Sequence, residues 1–242
     1  MLDARLGGAA QGFDWDVEAM LQRGSVGSKT SAAHYLDADG EETRQLLDAR
    51  LGGAAQGFDW DVEAMLQRGS VGSKTIRAWA GGSRTGYTFD TLAWKPRIGL
   101  QLDIASGDRQ AGDGRVGTFN PLFPNGYYFS LAGYTGYSNL IHVKPSITVK
   151  PLAKLSVQTA VGLLWRQTTA DAVYTQPNLP VAGTAGQGER WTGAYGQLRT
   201  DYAFTPNLSG AVEAVHYAVG QTLRDAGGHD SNYLGMELKF SW

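Results

Sequence analysis

The sequence contains no cysteine among its 242 residues, which excludes disulfide bonds and thiolate metal sites. It also contains no apolar run close to the roughly 18 residues that a membrane-spanning helix needs, so the chain does not cross a bilayer by helices. Charge of one sign does not dominate either, because 21 Lys and Arg face 23 Asp and Glu. Nucleic-acid-binding domains usually carry a basic excess, so this balance does not indicate a nucleic-acid partner.

Patterns of known catalytic chemistry are missing as well. The sequence has no GxSxG nucleophile elbow, and the segment GSVGSKT at 69–75 has too few residues between its glycines for a phosphate-binding loop. The four histidines are scattered without the spacing of a metal site; they are His34, His142, His216 and His229. We therefore predict no catalytic centre, cofactor or metal, and a protein that is not an enzyme.

The first residues lack a basic stretch followed by an apolar core, which is the pattern of a secretory signal. The expectation is that the chain is mature, truncated or engineered.

Glycine is abundant, and several stretches alternate strictly between apolar and polar side chains. The chain has 33 Gly and 11% aromatic residues but 8 Pro, which suits many strands joined by turns. From Leu234 to Trp242 every second residue is apolar, and the stretch ends on an aromatic side chain. A half-buried strand of a soluble sandwich would alternate in the same way, whereas outward apolar residues with aromatics at the interface are typical of membrane barrels. Similar alternation at 97–105, 141–149 and 155–166, with less regular segments, predicts about eleven strands.

One segment occurs twice. Residues 2–30 recur without change at residues 47–75, an identity too complete for an old structural repeat. A recent duplication, engineering or a sequence-assembly error explains it better. Each copy is predicted to be a hairpin that turns at Gly12 or Gly57, with an amphipathic helix as the alternative for DWDVEAMLQRG. We therefore predict one domain over residues 1–242 in which 2–30 forms an extra hairpin.

The predicted connections alternate in length. Short turns fall at Gly12, Gly57, 90–94, 151–154 and 206–207, and long loops fall at 23–44, 68–75, 107–139, 168–190 and 224–232. Transmembrane barrels have brief periplasmic turns and long external loops, and a soluble meander has no reason to place every long loop at one end. This pattern predicts an all-β, antiparallel transmembrane β-barrel. Since bacterial barrels of one chain normally have even strand numbers, eleven strands indicate a partial or engineered barrel.

Several short segments point to a family. ASGD at 105–108 is followed by TFNPLFP at 118–124, and GYTF, WKPRIGLQLDI, an Asn139–Leu140 pair, LLWR and DAVY lie around them. Over roughly residues 44–242 the chain resembles the C-terminal half of the alginate-export family of outer-membrane β-barrels. The resemblance implies an eighteen-stranded passive pore in the bacterial outer membrane that exports a polyanionic polysaccharide such as alginate. It also implies contact with outer-membrane lipid, and recognition by the barrel-assembly machinery through the closing strand from Leu234 to Trp242.

The resemblance further implies a pore lined by basic side chains. The strand phase places seven of them on the face away from lipid: Arg50, Arg97, Lys144, Lys150, Arg166, Arg199 and Lys239, with Arg5 as the duplicate of Arg50. They would attract carboxylates in a narrow lumen, where field lines are focused. The alternative is a water-filled wall tiled by cross-strand ion pairs, because the same face carries Asp48, Asp59, Asp61, Glu63, Asp103, Asp201, Glu213 and Glu237.

The TFNPLFP loop could narrow the pore or merely fold on itself; its constriction candidates are Phe119, Asn120, Pro121 and Phe123. Six aromatic residues near predicted strand ends suit an interface girdle: Trp94, Trp165, Trp191, Tyr202, Phe204 and Trp242. Two other functions remain open, namely a general diffusion porin and a truncated or engineered barrel without transport function.

Overall fold

A computed structural model describes residues 2–10, 13–26, 40–122 and 125–242, with side chains from residue 42 onward. Its strands are β1 (Leu2–Ala10), β2 (Phe13–Val26), β3 (Gly40–Ala55), β4 (Phe58–Val71), β5 (Lys74–Thr88), β6 (Arg97–Ala105), β7 (Arg115–Val116), β8 (Leu140–Leu152), β9 (Leu155–Trp165), β10 (Tyr174–Thr175), β11 (Leu179–Pro180), β12 (Trp191–Thr205), β13 (Leu208–Val219) and β14 (Ser231–Phe240). One short helix, α1 (Gln221–Asp225), precedes β14.

Eleven of these strands form one continuous antiparallel path. Each long strand pairs with the next along the chain, in the order β1, β2, β3, β4, β5, β6, β8, β9, β12, β13 and β14. The short β7 pairs with β5 in parallel, and β10 pairs with β11 in a separate two-stranded unit. The prediction of an all-β antiparallel barrel built from about eleven strands is confirmed.

The connections follow the predicted alternation except at one place. Tight turns lie between β3 and β4, β8 and β9, and β12 and β13, while long segments follow β6, β9 and β13. The segment at 68–75 is not a long loop, because β4 runs to Val71 and β5 begins at Lys74. The prediction was wrong because the polar run GSVGSKT resembles a loop, whereas Val71 and Ile76 are buried against Val116. Most of the loop predicted at 23–44 lies outside the described residues.

Both copies of the repeated segment are hairpins with the same register. In the first copy Leu2 pairs with Leu21, and in the second Leu47 pairs with Leu66. Every such pair is shifted by 45 residues between the copies. Identical sequence has therefore produced identical pairing, and the helical alternative for this segment is wrong.

The two faces of the sheet are inverted relative to a water-soluble protein. On β6 the apolar Ile98 and Leu102 are exposed, while Asp103, the residue after Leu102, is buried. On β14, Leu234 and Met236 are 74% and 83% exposed. Contiguous apolar surface of this extent marks a membrane contact, and apolar-out, polar-in alternation is the pattern of transmembrane strands. The outer face is therefore the lipid-facing one. No helix among the described residues is long and apolar enough to span a bilayer.

Aromatic side chains collect at the ends of the outer face. Paired rings occupy the short-turn end of the sheet: Phe58 with Trp60 at 5.7 Å, Tyr87 with Phe89 at 4.9 Å, and Tyr202 with Phe204 at 5.0 Å. At the opposite end Trp165 and Trp191 lie 5.0 Å apart on neighbouring strands. Such belts are expected where strands cross the lipid headgroups.

An arginine on the outer face is expected to destabilise the barrel much more than one on the inner face. Ile147 lies mid-strand in β8 and is exposed outward, while the next residue, Thr148, faces inward. Ile147→Arg should cost about 2–4 kcal/mol in lipid vesicles, because a charge near the bilayer midplane is poorly solvated. Thr148→Arg should change stability little. Denaturant unfolding followed by tryptophan fluorescence measures both, and equal losses would contradict the assigned faces.

Gly69 is expected to be irreplaceable in β4. Its φ is +154°, and an added Cβ would lie 1.9 Å from the carbonyl oxygen of Thr43 on β3. We expect Gly69→Ala to lower stability by about 1–3 kcal/mol through backbone strain. Gly196→Ala is the matched control, because that position has open space around it. Similar unfolding curves for the two variants would show that the close approach to Thr43 is not required.

Candidate functional site

Residues 106–139, which connect β6 to β8 and are called the inner loop below, fold over the inner face of the sheet. The loop is attached to β4 through the buried Gln67, whose amide NH₂ donates to the Asn120 carbonyl at 2.6 Å. The Asn120 N–H donates in return to Gln67 Oε1 at 3.1 Å. This reciprocal pair fixes Asn120 of the inner loop against the wall.

A buried polar network attaches the next part of the loop. Tyr128 donates its hydroxyl to Asp103 of β6 at 2.8 Å, and Tyr137 donates to the carbonyl of Gly81 on β5 at 2.9 Å. Asp103 also lies 2.8 Å from Nδ1 of His142, whose Nε2 lies 3.0 Å from the hydroxyl of Tyr195. Since unpaired buried polar groups are costly, this closed network holds the loop in one position.

The inner loop reaches the far side of the same face. The Lys144 ammonium group of β8 donates to the Phe129 carbonyl at 2.8 Å, and the Leu131 N–H donates to Glu213 of β13 at 2.7 Å. Tyr134 lies 2.8 Å from the hydroxyl of Ser231 at the start of β14. The loop therefore spans the inner face from β4 to β14 and narrows the space along it.

The four predicted constriction residues are not equivalent. Phe119 is buried in the core with its ring 6.0 Å from that of Tyr137, so it supports the loop from behind. Asn120 and Pro121 are half-buried, and the amide of Asn178 donates to Asn120 Oδ1 at 3.1 Å. Phe123 lies outside the described residues.

The segments that carried the family resemblance meet in the layer of loops. The buried carboxylate of Asp171, from DAVY, accepts bonds from the Asp108 N–H and from the hydroxyls of Thr118 and Tyr174. The Asn139 amide donates to the carbonyls of two residues after β9. Burial raises the pKa of Asp108 above its usual value. These polar residues join the inner loop to the loop that follows β9.

Arg166 differs from the prediction. Its side chain is 1% exposed, and its guanidinium donates to five main-chain carbonyls in the loop that follows β9: those of Thr169, Asp171, Thr184, Gln187 and Glu189. Arg166 follows the last residue of β9, so the strand phase no longer determines its direction. The charge holds that loop together and is not presented to a channel.

Three of the seven predicted basic residues meet in one cavity beneath the inner loop, called the central cavity below. It has a volume of about 570 Å³ and is lined by Arg97, Lys144 and Arg199 together with Arg84, Glu213 and two tyrosines of the loop, Tyr127 and Tyr128. Converging basic side chains in a walled cavity raise the local concentration of anions.

Arg97 lies flat against the wall. An added Cβ on Gly86 or Gly99, which face each other across β5 and β6, would lie 2.2 Å or 2.5 Å from its guanidinium. Asp59 of β4 accepts two hydrogen bonds from the same group. The two glycines thus form a slot that keeps this long side chain out of the open space.

Three of the seven predicted pore cations, Arg50, Arg97 and Arg199, have acidic partners among the described residues. Arg50 pairs with Asp61 at 2.6 Å, while Arg199 contacts Asp201, Glu213 and Glu237 at 2.8–3.4 Å. The alternative of a wall tiled with ion pairs therefore describes a large part of this face. Lys150 and Lys239 line a second cavity toward the short turns, to which Arg199 also contributes.

Arg84 was missed by the sequence reasoning. Its exposed guanidinium lies 4.6 Å from the ring centroid of Tyr128 and lines the central cavity. Glycines at 81, 82 and 86 obscured the alternation of apolar and polar residues in β5. Ala78 and Ala80, which point to the same face of β5 as Arg84, are both buried. That small-residue phase was the available signal for the inner face.

No group of His, Asp and Glu among the described residues is arranged to hold a metal ion. The site is therefore best described by its shape and charge: an inner wall, a loop across it and a set of basic side chains.

Comparison with known proteins gives a family match. The model of the alginate export family matches residues 30–237. No curated protein matches the chain in sequence. A crystal structure of the NanC porin, from a rhombohedral crystal form, aligns over 100% of this chain and 100% of that chain, with 12% identity and a TM-score of 0.43. That structural similarity is too low to inform function.

The family match extends over most of the sequence and agrees with the lipid-facing outer surface and the polar inner wall. The chain belongs to the alginate export family and is an outer-membrane β-barrel pore.

Proposed function

We propose that the protein conducts an anionic polysaccharide such as alginate across the outer membrane by passive transport, through the central cavity beneath the inner loop. The observation that carries the proposal is the state of two cations there. Arg84 and Lys144 form no ion pair with any described residue, although both line the cavity. Arg84 is exposed, so its charge is available to a carboxylate in transit, while the buried Lys144 adds positive charge from within the wall.

Three acids around the cavity, Asp59, Asp61 and Glu213, are already engaged. Asp61 lies directly opposite Arg84 on β4, but it is paired with Arg50 at 2.6 Å. Asp59 is paired with Arg97. Glu213 is buried and accepts from the Leu131 N–H and from Arg199. Because these carboxylates are neutralised locally, the cavity presents a net positive charge to a solute.

The cavity also suits a sugar. Tyr127 is 69% exposed at its edge, and a tyrosine offers both an apolar ring face and a polar tip. Gln197 is buried, and its Oε1 has no hydrogen-bond partner among the described residues. A hydroxyl group of a passing sugar would satisfy that acceptor, which otherwise carries a desolvation cost.

A general diffusion porin is the second candidate. The ion pairs of Arg50, Arg97 and Arg199 neutralise much of the inner wall, and a wall of mixed charge would select solutes mainly by size. Block of ionic current by polyanions separates the two functions.

Removing the charge of Arg84 should weaken block by polyanions. We expect oligoalginate, but not maltotetraose, to block single channels of the unmodified protein in planar bilayers at low salt. Arg84→Gln should weaken the block about fivefold, equivalent to about 1 kcal/mol for one partly solvated charge pair. Arg77→Gln removes the same charge from the outer phase of β5 and should leave the block unchanged. A channel that is indifferent to oligoalginate would favour the general porin.

Loosening the inner loop should make the pore less uniform. Tyr128→Phe removes the hydroxyl that donates to the buried Asp103, and Tyr127→Phe removes the exposed hydroxyl of the adjacent residue. We expect Tyr128→Phe to lower stability by about 1–2 kcal/mol and to increase open-channel current noise, because a bond to a buried carboxylate is lost. The Tyr127→Phe channel should behave like the unmodified one. Equal noise in both variants would show that this bond does not hold the constriction.

A further inference from the structure

A second cavity, of about 440 Å³, lies on the inner face at the short-turn end of β8, β9, β12, β13 and β14. We call it the lysine pocket, because three lysines line it together with one arginine and two acids: Lys150, Lys154, Lys239, Arg199, Asp201 and Glu237. All three lysines are exposed. The pocket lies below the central cavity, and none of the described residues of the inner loop lines it.

The two acids of the lysine pocket form ion pairs with its arginine. Arg199 donates to Asp201 at 2.8 Å and to Glu237 at 3.2 Å, so both carboxylates are held beside one guanidinium. Lys150 and Lys239 form no ion pair with any described residue, and Lys154 donates to the carbonyl of Phe204 at 3.2 Å. Four cations therefore face two carboxylates, and the surplus charge belongs to the lysines.

The surplus positive charge of the lysines favours the binding of anionic groups. A lysine ammonium is a compact charge with three donors on a flexible stem, and it binds carboxylate or phosphate without demanding one geometry. Three of them around a concave surface would hold an anionic group loosely enough for it to leave again. That behaviour suits a conducting path, in which binding must favour entry without trapping the solute.

We propose that the lysine pocket is a separate anion-binding site at the periplasmic mouth, which captures a carboxylate-bearing sugar unit before it enters the central cavity. The proposal rests on the proposed function for the direction and nature of the solute. Short turns mark the periplasmic side of outer-membrane barrels, and this pocket lies at the short-turn end. Arg199 lines both cavities, so a carboxylate leaving the lysines next meets Arg199 at the border of the central cavity.

The experiment measures oligoalginate block from each side of the membrane. The triple variant Lys150→Gln/Lys154→Gln/Lys239→Gln is compared with the control Arg77→Gln/Lys95→Gln/Arg115→Gln, which changes the net charge equally without touching either cavity. Gln110→Cys, on the exposed part of the inner loop of a cysteine-free chain, carries a biotin label that reports each channel's orientation with streptavidin.

We expect the lysine variant to reduce the association rate constant about tenfold when oligoalginate is added on the short-turn side at low salt. Addition on the loop side should change the rate less than twofold, and the control should match the unmodified channel on both sides. An equal reduction from both sides, or none from either, would overturn the pocket as a mouth site.

Equilibrium binding in detergent micelles provides a readout that does not need conduction. Calorimetric titration with an alginate tetrasaccharide should show about tenfold weaker binding in the lysine variant than in the control, with no binding of maltotetraose. If block is absent but lysine-dependent binding persists, the proposed transport fails and the pocket stands. If block occurs while binding is the same in both variants, the proposed transport stands and the pocket is overturned.

Discussion

The structure depends on the strict alternation of side chains along antiparallel strands whose outer face meets lipid. In a bilayer no water satisfies exposed backbone groups, so each strand must form its hydrogen bonds with its neighbours, and every second residue must be apolar. That constraint leaves the other half of the residues to the interior, where the chain places Asp103, His142 and Glu213. Within the bilayer, these strands can therefore place polar and charged side chains only on the inner face.

The inner loop converts that polar surface into a shaped passage. It is held by hydrogen bonds to strands from β4 to β14, and three of the wall groups that form them, Gln67, Asp103 and Glu213, are buried. The segments that resemble the family contribute Thr118, Asn139, Arg166 and Asp171 to the same layer. Their polar residues serve the positioning of the loops, while the charges that face the cavities come from the strands.

Charge along the inner face is organised by pairing. Arg50, Arg97 and Arg199 are bound to carboxylates, whereas Arg84, Lys144 and the lysines of the short-turn end have none among the described residues. A chain with a net charge of −2 can therefore present a positive path, because its acids neutralise particular arginines. A pathway for anions is therefore compatible with a slightly acidic chain, because the ion pairs determine which basic side chains stay unneutralised.

Much of the fold could be predicted from the sequence alone. Period-two alternation gave the number of strands and their faces, and the identical repeat gave a hairpin of identical register, because both depend only on neighbouring residues. The tertiary structure decided the rest. Whether 68–75 was a turn depended on Val116, which lies far away in sequence. The direction of Arg166 depended on how the loop that follows it folds back to present its main-chain carbonyls. Arg97 lies in the slot formed by two glycines. Arg84 has no ion pair with Asp61, the residue opposite it, because Asp61 is paired with Arg50. Alternation assigns a side chain to a face, but only packing between strands and loops determines which charges on that face remain available.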